Sequence, residues 1–160
     1  MGEGTDMNRL AALAHGLSGL SRAVIDYTIA VKQAVDAAKQ PGFSTESWAP
    51  LAALVDTARL ERVGNFKEVM DWGQYLGFLT AWAPTAQWDC TFKRVTEHGS
   101  LVFLELEERT SGAGFSSVVN SLSLYEFDAA GRIVHVDIYL QMPLPDPAML
   151  AGYQDVDMGG

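Results

Sequence analysis

The sequence predicts an α+β fold in which three helices from the N-terminal half gather on one face of a strongly bent, mostly antiparallel sheet of about six strands. Apolar residues recur at three- and four-residue steps between residues 10 and 35, which is typical of a helix. Residues 116–141 instead alternate β-branched or aromatic residues with small or polar ones on both sides of the turn DAAGR. A hairpin this long and apolar is not stable alone, so we expect the helices to cover one of its faces.

Length and composition predict a single domain. The chain has 160 residues, of which 48% are hydrophobic, and this suffices for one core of ordinary size. We expect residues 1–142 to form the domain, with residues 1–20 as an N-terminal helical extension and residues 143–160 as a C-terminal tail. The N-terminus lacks the basic start and unbroken apolar run of a signal peptide, which predicts a cytoplasmic protein.

The charge balance and the cysteine count exclude several classes of function. Acidic residues number 20 and basic residues 11, so the net charge is -9 and phosphate backbones or anionic membrane surfaces are repelled. Cys90 is the only cysteine, which excludes a disulfide within one chain and a thiolate metal cluster. The three histidines show no metal-ligand spacing. We therefore expect no nucleic-acid partner, no membrane partner and no metal.

Two helices are predicted before the first strand. A long helical run begins at Asn8 and ends before Pro41 and Gly42, because proline cannot continue a helix and glycine permits the chain to reverse. A second and shorter helix is predicted to start at Thr45, with Leu51 on its buried side.

The rest of the chain predicts strands around one further helix. The segments ARLERVG and NFKEVM are typical of two short strands joined by a tight turn at residues 64–65. Asp71 and Gln74 have the spacing of a capping box, which predicts a helix over residues 72–82. The segments QWDCTFKRVTEHG and SLVFLELEERT predict two long strands before the final hairpin, whose Gly131 suits a left-handed turn position.

This element order, together with three phrases, resembles the nuclear transport factor 2-like superfamily and especially its SnoaL-like enzymes. The phrases are SWAPLAALVDTARLERVG, DWGQYLGFLTAW and YEFDAAGRIVHVDIYLQ. The resemblance implies a cone-shaped sheet wrapped around helices, with an apolar cavity at the wide end, usually no cofactor and usually a dimer. Family members use the cavity for ketosteroid isomerisation, epoxide hydrolysis, dehydration, polyketide cyclisation or binding alone, so the fold constrains the chemistry only loosely.

The last strand carries the first candidate site. His135, Asp137, Tyr139 and Gln141 share one face by alternation, and an imidazole beside a carboxylate can act as an acid–base pair. The opposite face is wholly apolar and should point inward, which would leave the polar face for a dimer interface. In epoxide-hydrolase and SnoaL-like members the resemblance places the inward carboxylate where this chain has Ile138, so a bulge would be needed to turn Asp137 inward.

Tyr27 is the second candidate, on the core face of the first helix. By resemblance to ketosteroid isomerase, a tyrosine on this helix donates to the developing oxyanion, and an apolar cavity strengthens such a bond. By the same resemblance, the position of the isomerase's catalytic base corresponds to Glu61 or Arg62 in this chain. The position of its second acid, which also stabilises the oxyanion, corresponds to about Ser123. The full set of isomerase catalytic residues is therefore not present. A buried tyrosine that only completes the core is the alternative.

Acidic residues in LVFLELEER are the third candidate. By resemblance, epoxide hydrolases carry an arginine and an acid two residues apart on this strand, and Glu107 and Arg109 have that spacing in reverse order. Glu105 is the reserve acid. A salt-bridged outer face explains these residues equally well.

Aromatic residues at helical spacing and on neighbouring strands predict a pocket for a flat, ring-bearing molecule, although packing alone explains most of them. With Ser123 and Ile138, the residues expected to line the pocket are Trp48, Tyr75, Phe78, Trp82, Trp88 and Phe103.

The sequence therefore predicts a cofactor-free enzyme that acts on a small hydrophobic ring-bearing molecule by proton transfer, as an isomerase, a dehydratase or lyase, or an epoxide hydrolase. Asp137, paired with His135, is the predicted base and Tyr27 the oxyanion donor. The alternative is a non-catalytic ligand-binding or dimerisation module whose last strand is the dimer interface. A third possibility is a cavity filled by the chain's own side chains. A homodimer or higher homo-oligomer is expected in each case.

Overall fold

The computed structural model describes residues 3–143 as helices and one sheet, which confirms the α+β class. The helices are α1 (Glu3–Gly16), α2 (Gly19–Ala37), α3 (Ala49–Ala52) and α4 (Trp72–Trp82), with a 3₁₀ helix (Thr45–Trp48) directly before α3. The strands are β1 (Glu61–Val63), β2 (Val69–Met70), β3 (Gln87–His98), β4 (Leu101–Gly112), β5 (Phe115–Phe127) and β6 (Ile133–Gln141). Apart from its first residue, the tail predicted for residues 143–160 lies outside the described residues.

The N-terminal helical run is broken into two helices, whereas the sequence predicts one. Gly19 has a φ of +62°, which a right-handed helix does not permit, and the amide of Leu17 instead bonds the carbonyl of Ala14 at 3.2 Å. The apolar periodicity continues across the break because α1 and α2 both bury a face against the same core. No helix within residues 3–143 combines the length and the apolarity needed to cross a membrane.

The capping box predicted for the third helix is confirmed at α4. The Gln74 amide donates to Asp71 Oδ1 at 2.8 Å, and the Asp71 amide donates to Gln74 Oε1 at 3.0 Å. Two otherwise unpaired amides at the start of the helix are thereby satisfied, which fixes where α4 begins. This matters for the site because α4 carries Tyr75, one residue after the box.

The six strands form one open mixed sheet in the order β2-β1-β6-β5-β4-β3. Every neighbouring pair is antiparallel except β1 and β6, which run parallel. Strands β2 and β3 are the two edges, so the sheet does not close into a barrel. The long hairpin predicted for residues 116–141 is confirmed as β5 and β6, and Gly131 occupies the left-handed position at a φ of +78°.

The turn between β1 and β2 differs from the predicted two-residue turn. Gly64 and Glu68 pair instead, with the Gly64 amide donating to the Glu68 carbonyl at 2.9 Å, and the left-handed residue is Lys67 at a φ of +64°. The wider turn lets Asn65 Oδ1 accept from the Leu140 amide at 2.9 Å, which ties the turn to the end of β6.

Alternation and strand register divide the sheet into an inner face, which packs against the helices, and an outer face. Val136 pairs with Tyr125, and Tyr125 pairs with Val102, and all three side chains are buried. Further inner residues along the same strands are Leu104, Leu106, Ser121, Ser123 and Ile138. The candidate site is built on this inner face.

Candidate active site

Three tyrosines from three elements meet inside the fold. Tyr27 comes from α2, Tyr75 from α4 and Tyr125 from β5, and all three are at least nine-tenths buried. The Tyr27 hydroxyl donates to the Tyr75 hydroxyl at 3.2 Å, and the rings of Tyr27 and Tyr125 pack edge to face with centroids 5.5 Å apart. Buried hydroxyls grouped in this way form a polar centre within an otherwise apolar interior.

The surroundings keep the phenols of Tyr27 and Tyr125 protonated. Burial raises the pKa of Tyr27 well above its ordinary value, and the neighbouring Tyr75 and Tyr125 add to the effect. Burial also raises the pKa of Tyr125, and the nearby Tyr75 and Glu108 raise it further. A hydrogen bond with Ser123 and the charge of Arg62 lower this pKa, but by less. Neutral phenols can donate hydrogen bonds, so at neutral pH the cluster offers donors to an oxygen that becomes negative.

Arg62 brings a positive charge to the inner face. Its strand partner across β6 is the inward residue Val136, and its guanidinium carbon lies 4.7 Å from the centroid of the Tyr75 ring. The Nε atom is buried and has no hydrogen-bond partner among the described residues, and the same holds for the hydroxyl of Ser121. A buried donor without an acceptor is costly and calls for an explanation.

Glu108 is the carboxylate that faces inward. It pairs with Cys90 on β3, which is fully buried, and the indole Nε1 of Trp88 donates to its Oε1 at 2.8 Å. Its charge is close enough to Tyr125 to raise the pKa of that phenol. Sequence reasoning missed Glu108 as a candidate, although alternation offers the signal: Leu104, Leu106 and Glu108 lie on one face of β4.

His135 and Asp137, the predicted catalytic pair, lie together on the outer face. His135 Nε2 is 3.0 Å from Asp137 Oδ1, and His135 Nδ1 is 3.1 Å from Glu61 Oε1 on the adjacent strand. Asp137 pairs with Leu124, an outer residue of β5. The register shift between β5 and β6 falls at Glu126 and before Asp137, so it does not turn Asp137 toward the interior.

The remaining predicted acids also point outward. Glu105 forms an ion pair with Arg94 at 2.6 Å, and Glu107 forms one with Arg109 at 3.1 Å. The structure thus separates the predicted site residues: Tyr27 lies inside, whereas His135, Asp137 and Glu105 lie outside.

Most of the predicted pocket-lining residues are buried or on the inner face. They are Trp48, Tyr75, Trp88, Ser123 and Ile138, and Trp82 packs partly against the same core. Phe78 is 47% exposed on α4, and Phe103 pairs with the outer residue Leu124. The structure therefore brings neither of these two phenylalanines into the inner cluster. Within residues 3–143 no group of three or more histidine, cysteine or acidic side chains is placed to hold a metal ion.

The chain has a six-stranded open mixed sheet packed against helices, and comparison with solved structures shows that this is the cone-like fold named nuclear transport factor 2-like. No protein-family model and no curated protein matches the sequence.

Three solved structures illustrate the likeness. A proposed isomerase from Rhodopseudomonas palustris has a TM-score of 0.59 at 12% identity, covering 75% of this chain and 90% of that one. An epoxide hydrolase of the LEH-like type from M. tuberculosis has a TM-score of 0.52 at 15% identity, covering 70% and 83%. An NTF2-like protein of unknown function from Cytophaga hutchinsonii has a TM-score of 0.51 at 14% identity, covering 84% and 96%. Structural neighbours thus include proteins named as an isomerase and as an epoxide hydrolase.

Proposed function

We propose that the chain is a cofactor-free enzyme that transfers a proton within a small hydrophobic ring-bearing molecule, as an isomerase, a dehydratase or lyase, or an epoxide hydrolase. The observation that carries the proposal is the inner cluster, in which the hydrogen-bonded hydroxyls of Tyr27 and Tyr75 share an apolar interior with the carboxylate of Glu108. Structural neighbours named as an isomerase and an epoxide hydrolase are consistent with it.

The tyrosines act as a linked oxyanion donor, in which the Tyr27 hydroxyl donates to Tyr75 and the Tyr75 hydroxyl donates to the oxyanion. Tyr27 and Tyr75 are held by α2 and α4, so their hydroxyls are positioned before a substrate enters. Fixed donors in a dry interior stabilise a developing negative charge more strongly than water does, because they need no reorganisation during the reaction. The raised pKa of Tyr27 keeps its proton on the hydroxyl, where its bond to Tyr75 leaves the Tyr75 proton free for the oxyanion.

Glu108 acts as the general base or acid. The indole of Trp88 holds one carboxylate oxygen at 2.8 Å, and within residues 3–143 no hydrogen bond occupies the other oxygen. A carboxylate fixed in this way can accept a proton from a bound ring carbon or from a water molecule and return it elsewhere. The geometry thus favours Glu108 over Asp137 as the group that moves the proton.

Turnover by matched carboxylate variants tests the proposal. The purified protein is screened against steroids, terpenoid epoxides and polyketide-like aromatic compounds, and hits are then measured with Glu108→Gln, Tyr27→Phe and Asp137→Asn. We expect Glu108→Gln to lower kcat by about a hundredfold or more and Tyr27→Phe by about tenfold or more. Asp137→Asn removes a carboxylate from the outer face and should stay within about twofold of the wild type.

The pattern of losses decides between the two carboxylates. Full activity in Glu108→Gln contradicts the role proposed for the inner face. Loss of turnover in Asp137→Asn alone, with the fold intact, would instead place the base on the last strand.

A second candidate function is association through the outer face of the sheet. Apolar side chains lie exposed there, with Val118 at 51%, Leu122 at 36% and Tyr139 at 58% exposure. A groove of about 250 Å³ runs beside Leu122 and Tyr139. Exposed apolar side chains beside fixed ion pairs favour a protein interface, and we propose a homodimer that uses this face.

A further inference from the structure

Arg62 is unusual among the arginines of this chain because it faces inward without a carboxylate. Arg22, Arg59 and Arg94 each lie within 4 Å of a carboxylate oxygen. Within residues 3–143 the Arg62 guanidinium contacts the ring of Tyr75, and its Nε is both buried and unpartnered. The residue is only half-buried, but one face of its guanidinium, at Nε, is shielded from water and lacks an acceptor among the described residues.

The free-energy cost of an unpaired donor suggests that Arg62 serves a ligand. A buried N–H donor without an acceptor is costly, so such a donor is usually paired or serves a ligand. The guanidinium carbon lies over the Tyr75 ring, 4.7 Å from its centroid, and this contact leaves the N–H groups able to bond an acceptor. A ligand that brings a planar anionic acceptor would satisfy the donor that the protein leaves unpaired.

Arg62 also lies close to the tyrosines of the inner cluster. Its charge lowers the pKa of both Tyr27 and Tyr125 against the stronger raising effects of burial, which places it within electrostatic reach of both phenols. The inner residue Val136 lies beside it on the next strand, and the hydroxyl of Ser121 is a further unpartnered polar atom of the same face. An anion held by Arg62 would therefore sit beside the tyrosine hydroxyls.

We propose that Arg62 binds a carboxylate group of the substrate, so that the molecule processed in this interior is a ring-bearing carboxylic acid in its anionic form. This inference rests on the proposed function and names the substrate class of the same site. A carboxylate matches the planar guanidinium through two parallel hydrogen bonds. A phosphate carries more charge and costs more to desolvate in an interior walled by buried aromatic residues. The anchored end then directs the ring toward the hydroxyls of Tyr27 and Tyr75.

Equilibrium binding of a matched ligand pair tests this inference without requiring turnover. The probes are 2-naphthoate and 2-naphthamide, which share size and shape but differ in charge, and their affinities are measured by titration calorimetry. We expect the wild-type chain to bind the carboxylate about tenfold or more tightly than the amide. In Arg62→Met, which keeps the apolar stem but removes the charge, the two probes should bind within about twofold of each other.

Two further variants complete the design. Arg59→Met removes an arginine that is 67% exposed and should keep the wild-type preference. Arg62→Lys keeps the charge but not the planar fork, so it should retain part of the preference, and it replaces Arg62→Met if that variant does not fold. Equal binding of both probes by the wild type, or an unchanged preference in Arg62→Met, overturns the inference.

The outcome is separable from that of the proposed function. If Arg62→Met loses the carboxylate preference while Glu108→Gln keeps full turnover, the anion site is supported and Glu108 is not the base. An unchanged preference in Arg62→Met with turnover lost in Glu108→Gln does the reverse.

Discussion

Tyr27 and Tyr125 are placed where burial makes ionisation costly, and this has a consequence for stability. Burial is the largest cause of the raised pKa of both phenols, whose ordinary value is 10.0. Below about pH 10 the folded and unfolded states both keep these protons, so the contribution to stability is fully present. Above that pH the unfolded chain releases the protons while the folded chain retains them, so the free energy of unfolding falls as pH rises through the folded pKa.

Alkaline titration should therefore show two phenols that lose their protons at a higher pH than an exposed tyrosine does. We expect the phenolate absorbance to rise in two stages, with the later stage accompanying unfolding, and the free energy of unfolding to be lower at about pH 11 than at about pH 9. Tyr27→Phe should diminish the late stage, because one of the two protected phenols is then absent. A late stage of unchanged size in both Tyr27→Phe and Tyr125→Phe would contradict the assignment.

The inner site could be predicted from the sequence only in part. Tyr27 follows from its place on the core face of a helix, and alternation along β4 contains Glu108. The resemblance drew attention to Asp137 instead, because a carboxylate on the last strand is expected there. The three-tyrosine cluster depends on how α2, α4 and β5 pack together, and periodicity along one chain does not encode which side chains from different elements meet.

Individual elements follow local chemistry closely where a side chain or glycine specifies the backbone. The capping box at Asp71 and the left-handed Gly131 were both predicted, because each is a bond or conformation encoded within a few residues. The helix break at Gly19 was not predicted, because the apolar pattern continues across it. The wide turn at Lys67 was not predicted either, because it depends on the pairing of Gly64 with Glu68. Tertiary context overrides local propensity at these two positions.

Gly112, at the end of β4, offers a prediction at the same scale. Its φ is +153°, and a Cβ added there would lie 2.3 Å from the backbone carbonyl oxygen of Thr85. Backbone atoms cannot move aside as a flexible side chain can, so Gly112→Ala should force the strand away from the loop before β3. We expect the free energy of unfolding to fall by about 2 kcal/mol or more.

A second glycine provides the control for that substitution. Gly77 lies within α4, and beyond its chain neighbours and its own helix backbone no atom comes within 4 Å of an added Cβ, so Gly77→Ala should be neutral or stabilising by up to about 1 kcal/mol. Denaturant unfolding of both variants measures the difference. A Gly112→Ala protein as stable as Gly77→Ala would show that the close approach at Thr85 does not exist in solution.

At the scale of the whole molecule, the two faces of the sheet differ in the side chains that they carry. The inner face carries buried apolar residues with Arg62, Glu108 and the tyrosines, whereas the outer face carries ion pairs around exposed apolar residues. Alternation predicted this division from the sequence, since one face of β6 is wholly apolar. The assignment of chemistry to the inner face and of association to the outer face rests on that division.

The association proposed for the outer face is open to a direct test of oligomeric state. Tyr139→Glu places a charge in the middle of the exposed apolar residues, and Leu122 pairs with Tyr139 across the strands, so a second copy packed there would have to bury that charge. We expect sedimentation equilibrium to show a dimer for the wild type and a monomer for Tyr139→Glu, with the inner site still folded. Phe78→Glu is the matched control, because Phe78 is also exposed but lies on α4 in the helical layer. A monomeric wild type, or a dimer that survives Tyr139→Glu but not Phe78→Glu, would remove the outer face as the dimer interface and move association to the helices.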